Sequence, residues 1–121
     1  MTSSLFAQIG NDINGEASGD RSGWAVSLSA DGSVVAIGAT NNDSNGTDSG
    51  HVRIYKNINN TWTQVGNDID GEAAGDLSGT SVSLSSDGSI VGIGAYTNDG
   101  SGSDSGHVRI YKNINNTWTQ V

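Results

Sequence analysis

One loop carries oxygen-bearing side chains at alternating positions around a glycine turn. These residues are Asn41, Asp43, Asn45 and Asp48, with Gly46 at the turn. Calcium takes about six to eight oxygen ligands, and a loop of this pattern can wrap such an ion. The equivalent loop 56 residues later carries the weaker set Asp99, Ser101 and Asp104. Neither loop has the bidentate glutamate that completes an EF-hand, so together they predict a calcium site of moderate affinity.

No other set of side chains is arranged for catalysis. The two histidines, His51 and His107, have no acid or base close in sequence that would activate them, so we expect them at a rim or an edge. No serine lies in a nucleophile-elbow sequence, and the chain has no cysteine, which excludes thiolate and disulfide chemistry. A hydrolase or lyase would need an acid, a base and a nucleophile together. We therefore expect a non-enzymatic protein with no cofactor other than calcium.

The charged residues are sorted by position, with Asp and Glu in polar loops or turns and most Lys and Arg on strands. Thirteen acidic residues against 5 basic ones give a net charge of −8. The acidic loops are either a face for cations and cationic ligands or solvated loops that keep the protein soluble. Nucleic acids and anionic membranes attract clustered Lys and Arg, so neither is an expected partner. No apolar stretch reaches the roughly 20 residues that span a bilayer, so we expect no membrane insertion.

A repeat of 56 residues positions these loops. Residues 10–65 and 66–121 are identical at 43 of 56 positions. A fixed period of this length is typical of repeat architectures. Residues 1–9 precede the first repeat, and residues 5–9 resemble the last segment of a repeat. The sequence therefore divides into an extra N-terminal strand at 1–9 and two units at 10–65 and 66–121.

Each repeat contains four short segments with strand-like patterning. In the first repeat these are 24–29, 34–39, 51–56 and 61–65, and in the second they are 80–85, 90–96, 107–112 and 117–121. Asp31-Gly32 predicts a two-residue hairpin between the first two strands, and Asn59-Asn60 predicts a tight turn between the last two. The second strand is apolar on both faces, so we expect neighbours to cover it on both sides.

Four antiparallel strands in a repeat of this length are the pattern of a β-propeller blade. The alternative is a β-sandwich of eight or nine strands. A sandwich would place equivalent strands in different environments, so the near-identity of the repeats favours blades. We therefore expect an all-β fold of β-propeller blades, each a four-stranded antiparallel sheet, with two blades per chain.

Residues 22–39 and 78–95 resemble FG-GAP repeats, which are the blades of integrin α-subunit propellers and of many secreted microbial propellers. The resemblance extends over both repeats, although serine replaces the phenylalanine of the motif, and threonine or tyrosine replaces its proline. It implies an extracellular or cell-surface location, while the N-terminus shows no signal peptide. In integrins a calcium loop joins the first two strands, but here residues 30–33 are too few to wrap an ion.

Two blades cannot close a propeller, which needs about four to eight. Each blade must bury both faces, so we expect identical chains to associate head to tail in a closed ring. A homotrimer of six blades is favoured over a tetramer of eight, and a fragment of a longer array is the remaining alternative. Strands 5–9 and 117–121 would compete for one outer position. The C-terminal strand should win because a tight turn tethers it, leaving residues 1–9 to fray or pack elsewhere.

The sequence thus predicts a self-assembling binding or structural scaffold whose partner is itself and whose other ligand is unknown. The alternative is a calcium-dependent adhesion or carbohydrate-binding, lectin-like propeller. Trp62 and Trp118 are equivalent and should pack on the outer strands. Trp24 has Thr80 as its equivalent, so the repeat does not require it, and we expect it in the central channel or on the loop rim.

Overall fold

The computed structural model describes residues 6–121, and within this range the chain forms nine β-strands and no helix. The strands are β1 Ser22–Leu28, β2 Val34–Ala39, β3 His51–Ile58, β4 Thr61–Gln64, β5 Ile69–Asp70, β6 Ser81–Leu84, β7 Ile90–Ala95, β8 His107–Ile114 and β9 Thr117–Gln120. The first sheet has the order β1-β2-β3-β4 with β5 also paired to β3, and the second has the order β6-β7-β8-β9. Every pairing between these strands is antiparallel. The all-β class is confirmed, and the run of four consecutive antiparallel strands in each repeat fits β-propeller blades.

The N-terminal segment predicted as an extra strand lies partly outside the described residues, which begin at Phe6. Residues 6–9 form no strand. The Ile9 carbonyl accepts a hydrogen bond of 2.9 Å from the indole Nε1 of Trp62. Strand β9 pairs with β8 of the same chain.

The hairpin between β3 and β4 turns on two asparagines. Asn59 and Asn60 have φ angles of 53° and 66°, and Asn115 and Asn116 repeat this conformation with 52° and 64°. Positive φ at both central residues defines the turn whose twist matches that of two antiparallel strands, and asparagine tolerates it well. The predicted tight turn is therefore present in both blades.

The connection between β1 and β2 differs from the predicted two-residue hairpin. Residues 29–33 join the strands, with the Gly32 amide donating to the Ser29 carbonyl at 3.0 Å and a φ of 75° at Gly32. The Ser29 amide also donates to the Val34 carbonyl at 2.9 Å, so four residues, 30–33, form the loop, with the left-handed glycine third among them. The Asp31 carboxylate explains the longer loop, since it accepts hydrogen bonds from both the amide and the hydroxyl of Ser33.

The short strand β5 lies in a segment predicted to be a loop. Ile69 and Asp70 pair with Val52 and His51, beyond the part of β3 that pairs with β4. The Ile69 side chain is buried and joins the core. Strand β5 thus carries the beginning of the second repeat along the edge of the first sheet.

The core lies between the two sheets. It is formed by Val34, Ala36, Val52 and Ile54 of the first sheet with Ile69, Val91, Ile93 and Tyr111 from the second repeat. Val82, Leu84 and Trp118 pack against its margin. The two backbones approach closely at Gly38, where an added Cβ would overlap the carbonyl of Gly79. The blades are therefore in direct contact, face against face.

The second strand of each repeat was predicted to be covered on both sides, and this holds for β2 but not for β7. All six residues of β2 are buried. In β7 the buried residues are Val91, Ile93 and Ala95, whereas Ile90 on the opposite face is exposed. The difference arises because the first blade covers one face of β7, and among residues 6–121 no further sheet covers the other.

Candidate functional site at the junction of the blades

The loop residues predicted to hold calcium take part in hydrogen bonds of the loops themselves. Asp43 Oδ1 accepts from the Asp48 amide at 2.9 Å, and Asp99 Oδ1 accepts from the Asp104 amide at 2.7 Å. Asn41 Oδ1 accepts from the neighbouring hydroxyl of Thr40 at 2.8 Å. Asp43 and Asp99 therefore each close their loop with one carboxylate oxygen. Calcium binding by this set stays a prediction.

Two further predicted ligands differ in their surroundings. Asn45 Nδ2 donates to the carbonyls of Gly71 at 2.8 Å and Glu72 at 3.2 Å. Asn45 therefore holds the loop that enters the second blade. Its equivalent, Ser101, lies exposed in the matching loop.

A pair of buried asparagines connects the acidic loops and escaped the sequence analysis. Asn42 Nδ2 donates to Glu16 at 3.1 Å and to the buried Asp20 at 2.9 Å. In the second repeat, Asn98 makes the same bonds to Glu72 and Asp76. Their recurrence at one repeat position is a signal that could have identified them. These asparagines fix the position of the glutamate in each loop.

The histidine of β3 lies in the densest group of ionisable residues. His51 Nδ1 is 3.5 Å from Asp68 Oδ2 and 3.8 Å from Glu16 Oε1. His51 is 1% exposed, so the expectation that it lies at a rim or an edge was wrong. The second blade and the loop before the first blade both cover it. Glu16 is distant from His51 in the sequence and Asp68 belongs to the second repeat, so no local spacing revealed these contacts.

Arg53 stands beside the same two carboxylates. Its Nε donates to Asp68 Oδ1 at 3.1 Å, and its Nη2 lies 3.6 Å from Glu16 Oε2. Arg53 thus engages one oxygen of each carboxylate, and the other oxygen of each faces His51. Nearby, burial raises the pKa of the Asp70 carboxyl, with a further contribution from the negative charge of Asp68.

The second repeat contains an incomplete copy of this group. His107 Nδ1 lies 3.7 Å from Glu72 Oε1, as His51 lies near Glu16. Arg109 is equivalent to Arg53, but its buried Nε has no hydrogen-bond partner among residues 6–121. The missing member corresponds to Asp68, and the other residue at that repeat position is Asp12.

Two apolar sheet faces, one on each blade, are exposed. On the first blade, Val26 and Leu28 are 63% and 59% exposed, although their equivalents Val82 and Leu84 pack against the core. On the second blade, Val108 and Ile110 are 69% and 45% exposed, although their equivalents Val52 and Ile54 are fully buried in it. Each exposed face is therefore the repeat counterpart of a face that is buried between the blades.

A small groove lies where the repeats differ in sequence. It is lined by Arg21, Trp24, Thr40, Asn41, Leu77, Thr80 and Tyr96. Every one of these residues occupies a repeat position that differs between the two units. Trp24 and Tyr96 are more than half exposed, and the guanidinium of Arg21 lies 5.9 Å from the centroid of the Trp24 ring. Trp24 thus lies in a groove at the junction of the blades.

Each of the two equivalent tryptophans bonds to the backbone of the residue that precedes its own repeat. Trp118 Nε1 donates to the Val65 carbonyl at 2.9 Å, as Trp62 does to Ile9. Trp118 also packs against the margin of the core. The expected packing role on the outer strands is therefore present in the second blade.

Residues 14–55 match the family model of the FG-GAP repeat. The match lies in the first unit and confirms the resemblance inferred from the sequence. No curated protein matches the chain significantly. Among the described residues, 6–121, there is no helix long and apolar enough to cross a membrane.

Proposed function

Starting from an FG-GAP repeat in residues 14–55, we propose that the chain is a non-enzymatic β-propeller module whose copies associate head to tail in a closed ring. The ring acts as a binding or structural scaffold. Three chains supply six blades and are favoured over four chains with eight, and both numbers lie within the range of about four to eight blades for propellers.

The equivalence between exposed and buried faces carries this proposal. Val108 and Ile110 on the last sheet correspond to Val52 and Ile54, which the second blade covers completely. A second copy that presents its Val26 and Leu28 would cover the last sheet as Val82 and Leu84 cover the first. Removing apolar surface from water contributes about 25 cal/mol per Å². The exposed side chains on these two faces would supply that surface when a second copy covers them.

Polar groups at the internal junction support the same geometry. The carbonyls of residues 47–50 accept hydrogen bonds of 2.8 to 3.0 Å from the amides of Gly75, Leu77, Ser78 and Gly71. The equivalent carbonyls, 103–106, lie in the loop before β8, and the equivalent amides lie in residues 15–22. Asp12 of a second copy would likewise meet the unpartnered Nε of Arg109, as Asp68 meets Arg53. These groups would set the register between copies.

The ring is tested by measuring the mass in solution with light scattering behind size exclusion, at several concentrations. A species of three chains whose mass does not change on dilution is the expected result. Val108→Asp should give monomers, because it places a charge on the apolar face. A monomeric wild-type chain would overturn the proposal.

Ile114→Asp is the matched control for this experiment. Ile114 lies on the same strand as Val108, and its equivalent Ile58 stays 49% exposed at the internal junction. Position 114 should therefore remain outside the contact between copies, and the variant should keep the mass of the wild type. If Val108→Asp also keeps that mass, the apolar face of β8 is not the contact.

The groove at Trp24 favours a second candidate function, carbohydrate binding by a lectin-like propeller, with calcium-dependent adhesion as a variant of it. Although 43 of the 56 repeat positions are identical, the groove is lined only by residues at positions that differ between the repeats. Exposed aromatic rings such as Trp24 and Tyr96 offer flat apolar surfaces on which sugar rings can stack. A ligand site at this one junction would require such differences between the repeats.

Glycan-array binding by wild type and by Trp24→Thr tests this candidate. The substitution restores the residue found at the equivalent position, Thr80, and so should preserve the fold. We expect loss of glycan binding with an unchanged melting temperature. If adhesion depends on calcium, bound calcium should raise the melting temperature according to mass action. Identical melting temperatures in calcium and in EDTA would exclude calcium-dependent adhesion.

A further inference from the structure

We infer that Glu16, His51 and Asp68 form a binding site for a divalent transition-metal ion of the zinc class. The three side chains offer one imidazole nitrogen and two carboxylate oxygens, all within 4.8 Å of one another. They come from three different segments, namely the loop before β1, strand β3 and the loop before β5. The site would therefore tie the two blades together at their junction.

The imidazole of His51 is the strongest indication of a ligand. His51 is 1% exposed, and its Nδ1 has no hydrogen-bond partner among residues 6–121. Buried polar atoms are nearly always satisfied, so an orphaned nitrogen in a native structure suggests an unseen partner. This nitrogen faces Asp68 Oδ2 at 3.5 Å and Glu16 Oε1 at 3.8 Å. A cation between the three atoms would satisfy all of them.

The distances suit a small tetrahedral ion. Zinc lies about 2.0 to 2.2 Å from nitrogen and carboxylate ligands, so two ligands of a tetrahedral site are roughly 3.4 Å apart. The separations of 3.5 and 3.8 Å from His51 Nδ1 exceed that value only slightly. The oxygens of Glu16 and Asp68 lie within 4.8 Å of each other, and rotation of the partly exposed Glu16 side chain would close the site. Three protein ligands leave a fourth position for water.

Arg53 and Asn42 orient the carboxylates from outside this group. Arg53 Nε donates to Asp68 Oδ1 and Asn42 Nδ2 donates to Glu16 Oε1, at 3.1 Å in both cases. Hydrogen bonds to the carboxylates that bind a metal commonly fix their position. The carboxylates of Glu16 and Asp68 and the guanidinium of Arg53 together carry a net charge of −1. The site therefore attracts a cation even with Arg53 present.

The ligand set discriminates between cations. An imidazole ligand suits zinc and its neighbours in the first transition series, whereas calcium prefers six or more oxygen atoms. The inferred zinc site is thus distinct in place and in chemistry from the calcium loops at residues 41–48 and 97–104. Zinc can therefore be used to probe the inferred site, and calcium can be used as the competing ion that should not displace it.

The second repeat supplies two of three ligands for an equivalent site, Glu72 and His107, which are 3.7 Å apart. Asp12 of a second copy is the residue that corresponds to Asp68. This second site rests on the proposed ring, whereas the first site lies within one chain. Zinc stoichiometry therefore distinguishes failure of the ring from failure of the inferred site.

The test is calorimetric titration of zinc into chain that has been treated with EDTA and desalted, at neutral pH. His51→Gln and Asp68→Asn each remove one ligand and should weaken binding at this site by at least about tenfold. Cobalt(II) provides a second readout, since its visible absorption reports nitrogen and oxygen ligands in a tetrahedral site. Circular dichroism establishes whether each variant folds. If His51→Gln does not fold, Asp68→Asn is the variant that tests the site.

His107→Gln is the matched control because it removes the equivalent histidine of the second repeat. The inferred site predicts that His51→Gln loses one zinc per chain relative to wild type, and that His107→Gln retains the zinc at His51. In a ring, wild type binds two zinc ions per chain and His107→Gln binds one. Unchanged zinc binding by a folded His51→Gln or Asp68→Asn variant, or displacement of zinc by equimolar calcium, would overturn the inference.

Discussion

At the scale of single residues, the turn aspartates show how a local hydrogen-bond set changes acidity. The Ser33 hydroxyl and amide hold the pKa of Asp31 below its ordinary value, with help from Ser29. The equivalent groups, Ser89 and Ser85, act on Asp87 in the same way. The ionised carboxylate is therefore favoured in the folded state. Both turns are exposed, so each contributes only modestly.

Replacing Asp31 with asparagine should lower the melting temperature at neutral pH, since the charged acceptor of the turn is lost. The pKa of Asp31 is depressed in the folded state, so its contribution is present above the ordinary value of 3.8 and is lost as the pH falls through the folded value. The difference in melting temperature between wild type and Asp31→Asn should therefore shrink in acid. Thermal melts between neutral pH and about pH 2 measure it. A difference that stays constant with pH would show that the charge is not responsible.

Asp70 should behave in the opposite sense. Burial and the nearby Asp68 raise its pKa, so the charged form is disfavoured in the folded state. Its stabilising contribution is present below the ordinary pKa and is lost as the pH rises through the folded pKa. Asp70→Asn, which introduces the residue found at the equivalent Asn14, should therefore raise the melting temperature at neutral pH and not in acid. Thermal melts of wild type and Asp70→Asn at neutral pH and in acid measure this. A lower melting temperature of Asp70→Asn than of wild type at neutral pH would contradict the prediction.

At the scale of elements, most strands were predictable and the short β5 was not. Strand β2 was predicted with its observed bounds, because a continuous apolar run between glycine-rich loops has few alternatives. Strand β5 has two residues, and its pairing depends on where the second blade lies. The full His51 group escaped for the same reason, since Asp68 joins it only when the second repeat packs on the first.

The close approach of the blades at Gly38 yields a prediction with an internal control. Gly38→Ala should destabilise the fold by about 1–3 kcal/mol or more, because its Cβ would overlap the carbonyl of Gly79. At the equivalent Gly94, an added Cβ meets only the side chain of Ser81, which can rotate. Gly94→Ala should therefore fold normally. Denaturant unfolding measures both, and equal losses of stability would contradict the close contact between the blades.

Gly94→Ala should nevertheless prevent assembly, if copies meet as the blades do. In the proposed ring, Gly94 faces Gly23 of a second copy as Gly38 faces Gly79. The variant should therefore be folded and monomeric by light scattering. A folded Gly94→Ala chain with the mass of the wild type would argue against this contact between copies.

At the scale of the whole molecule, the N-terminal segment and β9 are the two candidates for the outer strand of the last blade. Strand β9 already pairs with β8 within the chain. We therefore expect deletion of residues 1–8 to leave the number of chains in the assembly unchanged, while the Ile9 carbonyl that Trp62 contacts is kept. Light scattering of the shortened chain measures this. Loss of the assembly would show that the N-terminal segment closes the ring.

The face of β8 at one end and the face of β1 at the other have a consequence for the history of such proteins. If copies meet through these faces, the contact between chains is the same contact that joins two repeats within a chain. A gene with one repeat more or fewer would encode a product with the same two ends. Gene length could then change by whole repeats while every product kept the ability to associate with identical chains. Covalent linkage and association would be interchangeable ways of building one ring.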